Sequence, residues 1–341
     1  MRRMRVLVTG GAGFIGSYVA DLLVKKGDEV YNIDDLSGGY LRNVNPKCRF
    51  IKQNLVDREK TAEVVKKIKP QIIYHLAADA TEGRSQFTPI NCTERNYNAF
   101  LNTLVPAIKY GLKKIVFVSS MSVYGKQKTP FVETMDPIPE DIYAVAKTAS
   151  EQALQILSEV YGFGYTIVRP HNVYGPRQNM ADPYRNVIGI FINSLLNKKN
   201  YYIYGNGEQV RSFSYIEDVA PYIVKVGTLN KYNGEIFNIG PEDAVTINTL
   251  SNKISSIFFG RKIPEKLKPV YLSDRPKEVK KAFCSNQKAK KVLKYCAKTS
   301  LDDGLVQMID WAKKMGPQKF RYLESLELVN SSTPKTWQDK L

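Results

Sequence analysis

The stretch Val8-Thr9-Gly10-Gly11-Ala12-Gly13-Phe14-Ile15-Gly16 decides the fold. It follows an apolar strand pattern at 5–9 and opens a helix-length segment at 15–26. Two glycine patterns overlap in it: GxxGxxG at Gly10, Gly13 and Gly16, and GxGxxG at Gly11, Gly13 and Gly16. One glycine makes the tight turn, another lets the backbone approach a pyrophosphate, and a third lets helix and strand pack closely. The helix N-terminus then offers free N–H groups and a positive dipole end to phosphate oxygens. Asp34 follows Gly16 by 18 residues, at the end of the second strand pattern. A carboxylate there accepts hydrogen bonds from the adenosine ribose and repels a 2′-phosphate. Asp35 is next to it and no arginine follows until Arg42, so NAD is favoured over NADP.

Further strand runs lie at 29–33, 49–53, 71–76, 113–119 and 165–169, and helical spacing at 57–69, 91–110 and 142–161. Repeated strand–helix units imply a parallel sheet with helices on both faces. Right-handed crossovers make that sheet doubly wound. The expected fold class is α/β: a Rossmann-type doubly wound parallel sheet with a smaller mixed α/β substrate domain. The second half is less regular, with helices expected through 184–197, after Ile216, after Thr246 and from near Leu301. Residues 1–170 form the expected nucleotide-binding domain, with 212–245 returning to it. Residues 171–211 and 246–330 form the expected substrate domain, and 331–341 a frayed tail.

The chain has 341 residues, 43% of them hydrophobic, which excludes a disordered or low-complexity polypeptide. Four scattered cysteines (Cys48, Cys92, Cys284 and Cys296) give neither a disulfide framework nor a zinc spacing, and fit a reducing cytoplasm. His75 and His171 lie far apart, and no metal site is expected. The basic start Met1-Arg2-Arg3-Met4-Arg5 is followed by too short an apolar run for an export signal. No apolar run reaches the ~18 residues of a membrane span. The net charge is +17, and residues 251–300 hold 14 Lys/Arg against 3 Asp/Glu. Without a nucleic-acid motif, that excess reads as a solvated basic face or a field for an anionic small ligand, so no nucleic-acid partner is expected.

Tyr143 and Lys147 are four residues apart on a helix-length segment, which puts both on one face. An ammonium beside a phenol favours phenolate and fits Tyr143 to act as a general base. The spelling YxxxK also occurs at Tyr110–Lys114 and Tyr124–Lys128, but a glycine follows each of those tyrosines at the end of an element. Ser119-Ser120-Met121-Ser122 ends the strand pattern at 113–119. In a doubly wound sheet the carboxyl ends of the strands line the ligand crevice, where the Ser120 hydroxyl can hold and relay a substrate proton.

These motifs resemble the extended short-chain dehydrogenase/reductase family, in its nucleotide-sugar epimerase/dehydratase branch. The supporting strings continue through His75-Leu76-Ala77-Ala78, Val118 to Gly125, Arg169 to Gln178 and Gly207 to Phe213. The resemblance implies that Phe14, Ile15, Asn54, Leu55, Ala77, Ala78, Ser119 and His171 accompany the cofactor. It also implies that Ser122, Asn172, Asn186 and Tyr204 face the sugar nucleotide, and that Arg211 and Arg275 hold its diphosphate. Guanidinium suits that role because it binds phosphate oxygens bidentately. A homodimer is the implied assembly.

In this family, 4,6-dehydratases place Asp-Glu right after the catalytic hydroxyl residue, and decarboxylases keep a glutamate there. This chain has Met121-Ser122. The expected activity is therefore epimerisation of a nucleotide-diphosphate sugar at C4, by transient oxidation and re-reduction. The alternatives are an epimerase at C2, C3 or C5, a keto-sugar reductase, or a non-catalytic NAD-binding regulator.

Overall fold

The computed structural model describes residues 4–260, 264 and 267–341. The start Met1–Arg3, and Arg261, Lys262 and Lys266 of the basic segment, lie outside the described residues. Strands β1 (Arg5–Thr9), β2 (Glu29–Asp34), β3 (Arg49–Lys52), β4 (Ile72–His75), β5 (Lys114–Val118), β6 (Gly164–Pro170) and β7 (Glu235–Ile239) form one sheet. Their order is β7-β6-β5-β4-β1-β2-β3, and every pairing is parallel. The order reverses between β1 and β4, and a doubly wound sheet opens its crevice at such a switch point.

Side-chain alternation explains why the central strands are apolar throughout. Val6, Val8 and Tyr74 enter the core on one face of the sheet, while Leu7 and Ile73 enter the other. Helices α1 (Phe14–Lys25), α2 (Arg58–Ile68), α3 (Ala99–Lys109) and α4 (Ile142–Tyr161) cover the sheet. The bounds of α4 are set by its caps. Asp141 accepts a hydrogen bond from Ala144 N at 2.8 Å, and Gly162 ends the helix at φ 72°. The helix expected at 91–110 is divided. Pro89–Thr93 is followed by a π-helical turn, Glu94–Asn98, before α3. Asn96 Nδ2 donates to Cys92 O at 2.8 Å and Asp79 O at 3.2 Å, tying this wide turn to the loop after β4.

In the second half, α5 (Val187–Leu196) begins three residues later than the spacing suggests. Asn186 sits at φ 51° and caps it through Ile188 N. Helix α6 (Ala220–Thr228) returns to the sheet, where Tyr74 Oη donates to Val224 O at 3.0 Å. Helices α7 (Ile247–Phe259) and α8 (Leu301–Met315) pack with α5. Short strands carry Tyr204 (Tyr202–Tyr204) and Arg211 (Val210–Ser212) towards the carboxyl end of the large sheet.

The stretch expected to fray after Asn330 is docked instead. Trp337 is 5% exposed and packs edge-on against Phe87 and Tyr184, with ring centroids 5.9 and 5.4 Å away. Upstream, the Glu327 carboxylate accepts from Ile90 N and Asn91 N, both at 2.8 Å. Burying one indole and tying one carboxylate to two backbone amides holds a segment with no apolar periodicity of its own. Among the described residues, no helix is long and apolar enough to cross a membrane, and no cluster of metal-ligating side chains forms.

Candidate active site

One cavity of about 910 Å³ runs along the carboxyl end of the sheet. Every site residue singled out in the sequence lines it except Gly11, which packs against Asn32, and His171.

The glycine loop forms part of the cavity wall. A Cβ on Gly16 would lie 2.1 Å from Gly10 O, so only glycine lets the helix start this close to the strand. Apart from its chain neighbours, a Cβ on Gly13 would meet only Gly10 within 4 Å, and Gly13 lines the cavity. No side chain caps the first turn of α1, which leaves the N–H groups at Phe14 and Ile15 for an anion. Asp34 Oδ1 and Oδ2 accept from Leu36 N (2.8 Å) and Ala12 N (3.1 Å). Burial raises its pKa and those backbone bonds oppose the rise. Asn54, Leu55, Ala77 and Ala78 continue the wall. These groups fit a dinucleotide, with the pyrophosphate on the helix N-terminus and a ribose against Asp34.

Asp35 is committed elsewhere, bonded to Ser37 N and to Arg95 Nη1, both at 2.9 Å. Arg95 was not legible as a site residue. The π-helical turn delivers it from 60 positions away, and only its i, i+4 spacing from Asn91 hinted at a shared face.

Tyr143 and Lys147 also line the cavity, 4% and 1% exposed. Lys147 Nζ donates to Val118 O at 2.9 Å and lies 5.7 Å from the Tyr143 ring centroid. Burial, together with the charges of Glu82 and Asp141, holds the Tyr143 phenol well above its ordinary pKa, while a hydrogen bond with Ser120 opposes them. Desolvation is the largest influence on this phenol, against the lowering expected from the Lys147 ammonium. Lys147 itself is pushed down to about 8 by the same burial. Ser120 Oγ accepts from Ser122 N at 3.1 Å, and the hydroxyls of Ser119 and Ser122 are buried without a partner.

Elsewhere in the wall, Glu278 bridges Arg211 Nη2 (2.9 Å) and Arg275 Nη2 (2.7 Å). The Arg275 guanidinium also lies 4.9 Å from the Tyr204 ring centroid, and Tyr204 Oη bonds Thr336 of the docked C-terminal segment. Asn172 and Asn186 use their amide N–H groups on Ser212 O (2.8 Å) and Val173 O (2.7 Å), which stiffens the wall they belong to.

His171 does not reach the cofactor side. It has no exposed surface, and the space beside its ring is filled by Gly240, where a Cβ would lie 2.6 Å from Nδ1. Its neighbours Pro170 and Asn172 face the cavity, and alternation along the chain turns His171 away. Burial lowers its pKa to about 4. His75 is likewise a core side chain, stacked on Phe117 and bonded through Nδ1 to Thr9 Oγ1 at 3.1 Å. Glu82, Asp141, Glu278 and Trp337 are, with Arg95, among the cavity residues that the sequence does not single out. The only signal was positional, Asp141 lying two before Tyr143 and Glu278 three after Arg275.

Comparison with known proteins agrees with this geometry. The family model described as NAD dependent epimerase/dehydratase matches residues 6–240. A putative UDP-glucose 4-epimerase of Methanocaldococcus jannaschii is 32% identical over 310 residues, covering 90% of this chain and 98% of the relative. The Thermotoga maritima UDP-glucose 4-epimerase solved with UDP-glucose superposes with a TM-score of 0.82 at 35% identity, over 91% of this chain and 99% of that one. The Thermus thermophilus enzyme of that name, solved with NAD, gives 0.83 at 29% identity, over 90% and 98%. Other relatives are named UDP-glucuronate 4-epimerase and UDP-N-acetyl-alpha-D-glucosaminuronate decarboxylase. With a glycine cradle, a ribose carboxylate and a buried Tyr–Lys pair lining one cavity, and a family model spanning most of its length, the chain belongs to the NAD-dependent epimerase/dehydratase family.

Proposed function

We propose that the protein interconverts a nucleotide-diphosphate hexose and its C4 epimer, of the UDP-glucose/UDP-galactose type. The observation that carries this reading is that one cavity is lined by the glycine loop with Asp34, by Tyr143 with Ser120, and by Arg211 with Arg275. Bound NAD supplies a hydride acceptor and, on the return step, a hydride donor. Tyr143 takes the proton of the C4 hydroxyl and later returns it. Ser120 holds that hydroxyl and, by hydrogen bonding, favours the phenolate that burial otherwise opposes. Lys147 keeps a positive charge near the phenol and is fixed by Val118 O. Arg211 and Arg275 grip the diphosphate as a pivot, so the keto sugar can turn and present its other face.

The working assembly is proposed to be a homodimer, because Val145, Ile156 and Val160 lie exposed along α4. The cytoplasm is the proposed setting, in keeping with four free cysteines. The test is to incubate the protein with UDP-glucose or UDP-galactose and follow the sugar signals by NMR. Both directions should reach one equilibrium mixture without net consumption of NAD; no conversion of either sugar would overturn the reading.

A further inference from the structure

Seven carboxylates line the cavity, and five of them have evident work. Asp34 and Asp35 hold backbone amides and Arg95. Asp79 pairs with Arg84, Glu140 with Lys126 and Lys277, and Glu278 with Arg211 and Arg275. Glu82 and Asp141 form no salt bridge among the described residues, although the charges of Arg275, Arg185 and Arg211 act on Glu82. Asp141 Oδ1 caps α4 through Ala144 N. The charge of Glu82 acts both on the Tyr143 phenol and on Arg275 and Arg211, so it is near the reacting centre and the diphosphate anchors alike. The next residue, Gly83, would place a Cβ 3.4 Å from Arg275 Nη1, and the charges of Glu82 and Asp141 both act on the Tyr143 phenol. This region is the hexose compartment of the proposed reaction.

Two serine hydroxyls also face that compartment. Ser119 is 4% exposed, lines the cavity, and its hydroxyl has no partner; the Ser122 hydroxyl beside it is also unpaired. The nearby cations are already engaged: Lys147 with Val118 O, Arg84 with Asp79 and Arg185 with Asp182. A hexose hydroxyl can donate to a carboxylate or bond a serine. Above about pH 7, where Asp141 is ionised, a sugar carboxylate would meet two like charges, and the arginines whose charges act on Glu82 are already paired, Arg185 with Asp182 and Arg211 and Arg275 with Glu278.

We infer that Glu82 and Asp141 make the compartment selective for a nucleotide sugar with an uncharged hexose and exclude a hexuronate. The inference rests on the epimerase reading and answers what family membership leaves open, since relatives carry names of both substrate kinds. The experiment measures equilibrium binding of UDP, UDP-glucose and UDP-glucuronate to the NAD-loaded protein by calorimetry, so no turnover is needed. UDP-glucose should bind at least tenfold more tightly than UDP-glucuronate. Glu82→Gln should narrow that ratio at least threefold, and Asp141→Asn, which keeps a capping side chain, should narrow it as well. Equal affinity for the two sugars, or a ratio unmoved in both variants, would overturn the selectivity. Failure of UDP itself to bind would instead overturn the parent reading of the diphosphate site, and this inference with it.

Discussion

Arg169 on β6 bonds Glu151 on α4, its Nε donating to Oε1 at 3.0 Å, where the two side chains are 2% and 4% exposed. The same guanidinium donates through Nη1 to Tyr124 Oη at 2.8 Å, and Tyr124 donates to Asn238 Oδ1 at 2.8 Å. Glu151 shares α4 with Tyr143 and Lys147, while Tyr124 ends the turn that begins at Ser120. One buried guanidinium therefore sets the helix carrying the base against the turn carrying its hydroxyl partner. Breaking such a pair leaves an uncompensated charge, at a cost of about 3–5 kcal/mol. Glu151→Ala should lose that much in a denaturant titration; a loss below about 1 kcal/mol would show that the pair is not what holds the helix.

Tyr124 tests whether a YxxxK tyrosine outside α4 takes part in proton transfer. Its hydroxyl is spent on Arg169 and Asn238. Tyr124→Phe should cost about 1–3 kcal/mol of stability by stranding buried polar partners. The shape of the turnover-against-pH curve should stay that of the parent protein. A displaced limb in that curve would give Tyr124 a role in the chemistry.

Asp141 ties stability to pH. Burial and the Glu82 charge push its pKa up to about 7 from 3.8. The folded state thus holds a proton that the unfolded state releases between about pH 4 and 7, and stability from this group falls as pH rises through that window. Asp141→Asn should raise the melting temperature at pH 8, by about 1–2 kcal/mol in stability. The gain should shrink towards pH 5, where Asp141 is already protonated. A gain that is equal at both pH values would contradict the assignment.

Much of this was legible in the sequence. The glycine loop, Asp34 and the strand–helix alternation follow from local rules, and helix 142–161 has its limits set by Asp141 and Gly162 within the same stretch. What escaped detection depends on distant partners. Arg95 reaches Asp35 through a π-turn that no periodicity announces, and Glu278 matters because folding puts two arginines beside it. His171 misled for the opposite reason: its motif neighbours face the cavity, and alternation hides the residue between them. The C-terminal stretch has one buried indole and few apolar residues, so its docking is set by Phe87 and Tyr184, not by its own pattern.

That docked stretch gives another prediction. Thr336 bonds Tyr204, and Trp337 lines the cavity near Arg275. Truncation after Asn330 should weaken UDP-glucose binding by about tenfold, the order of one lost buried contact, while NAD affinity is retained. Equal losses for both ligands would indicate general destabilisation; no loss for either would place the segment outside the site.

The most direct measurement is NMR-detected conversion of UDP-glucose to UDP-galactose by the parent protein and by Tyr143→Phe, with NAD and UDP binding checked on each. General base catalysis contributes ~10²–10⁴-fold. The parent should interconvert the two sugars, and the variant should lose turnover by roughly that factor while binding both ligands. Near-parental conversion by Tyr143→Phe would contradict the role of this phenol as the group that moves the C4 hydroxyl proton.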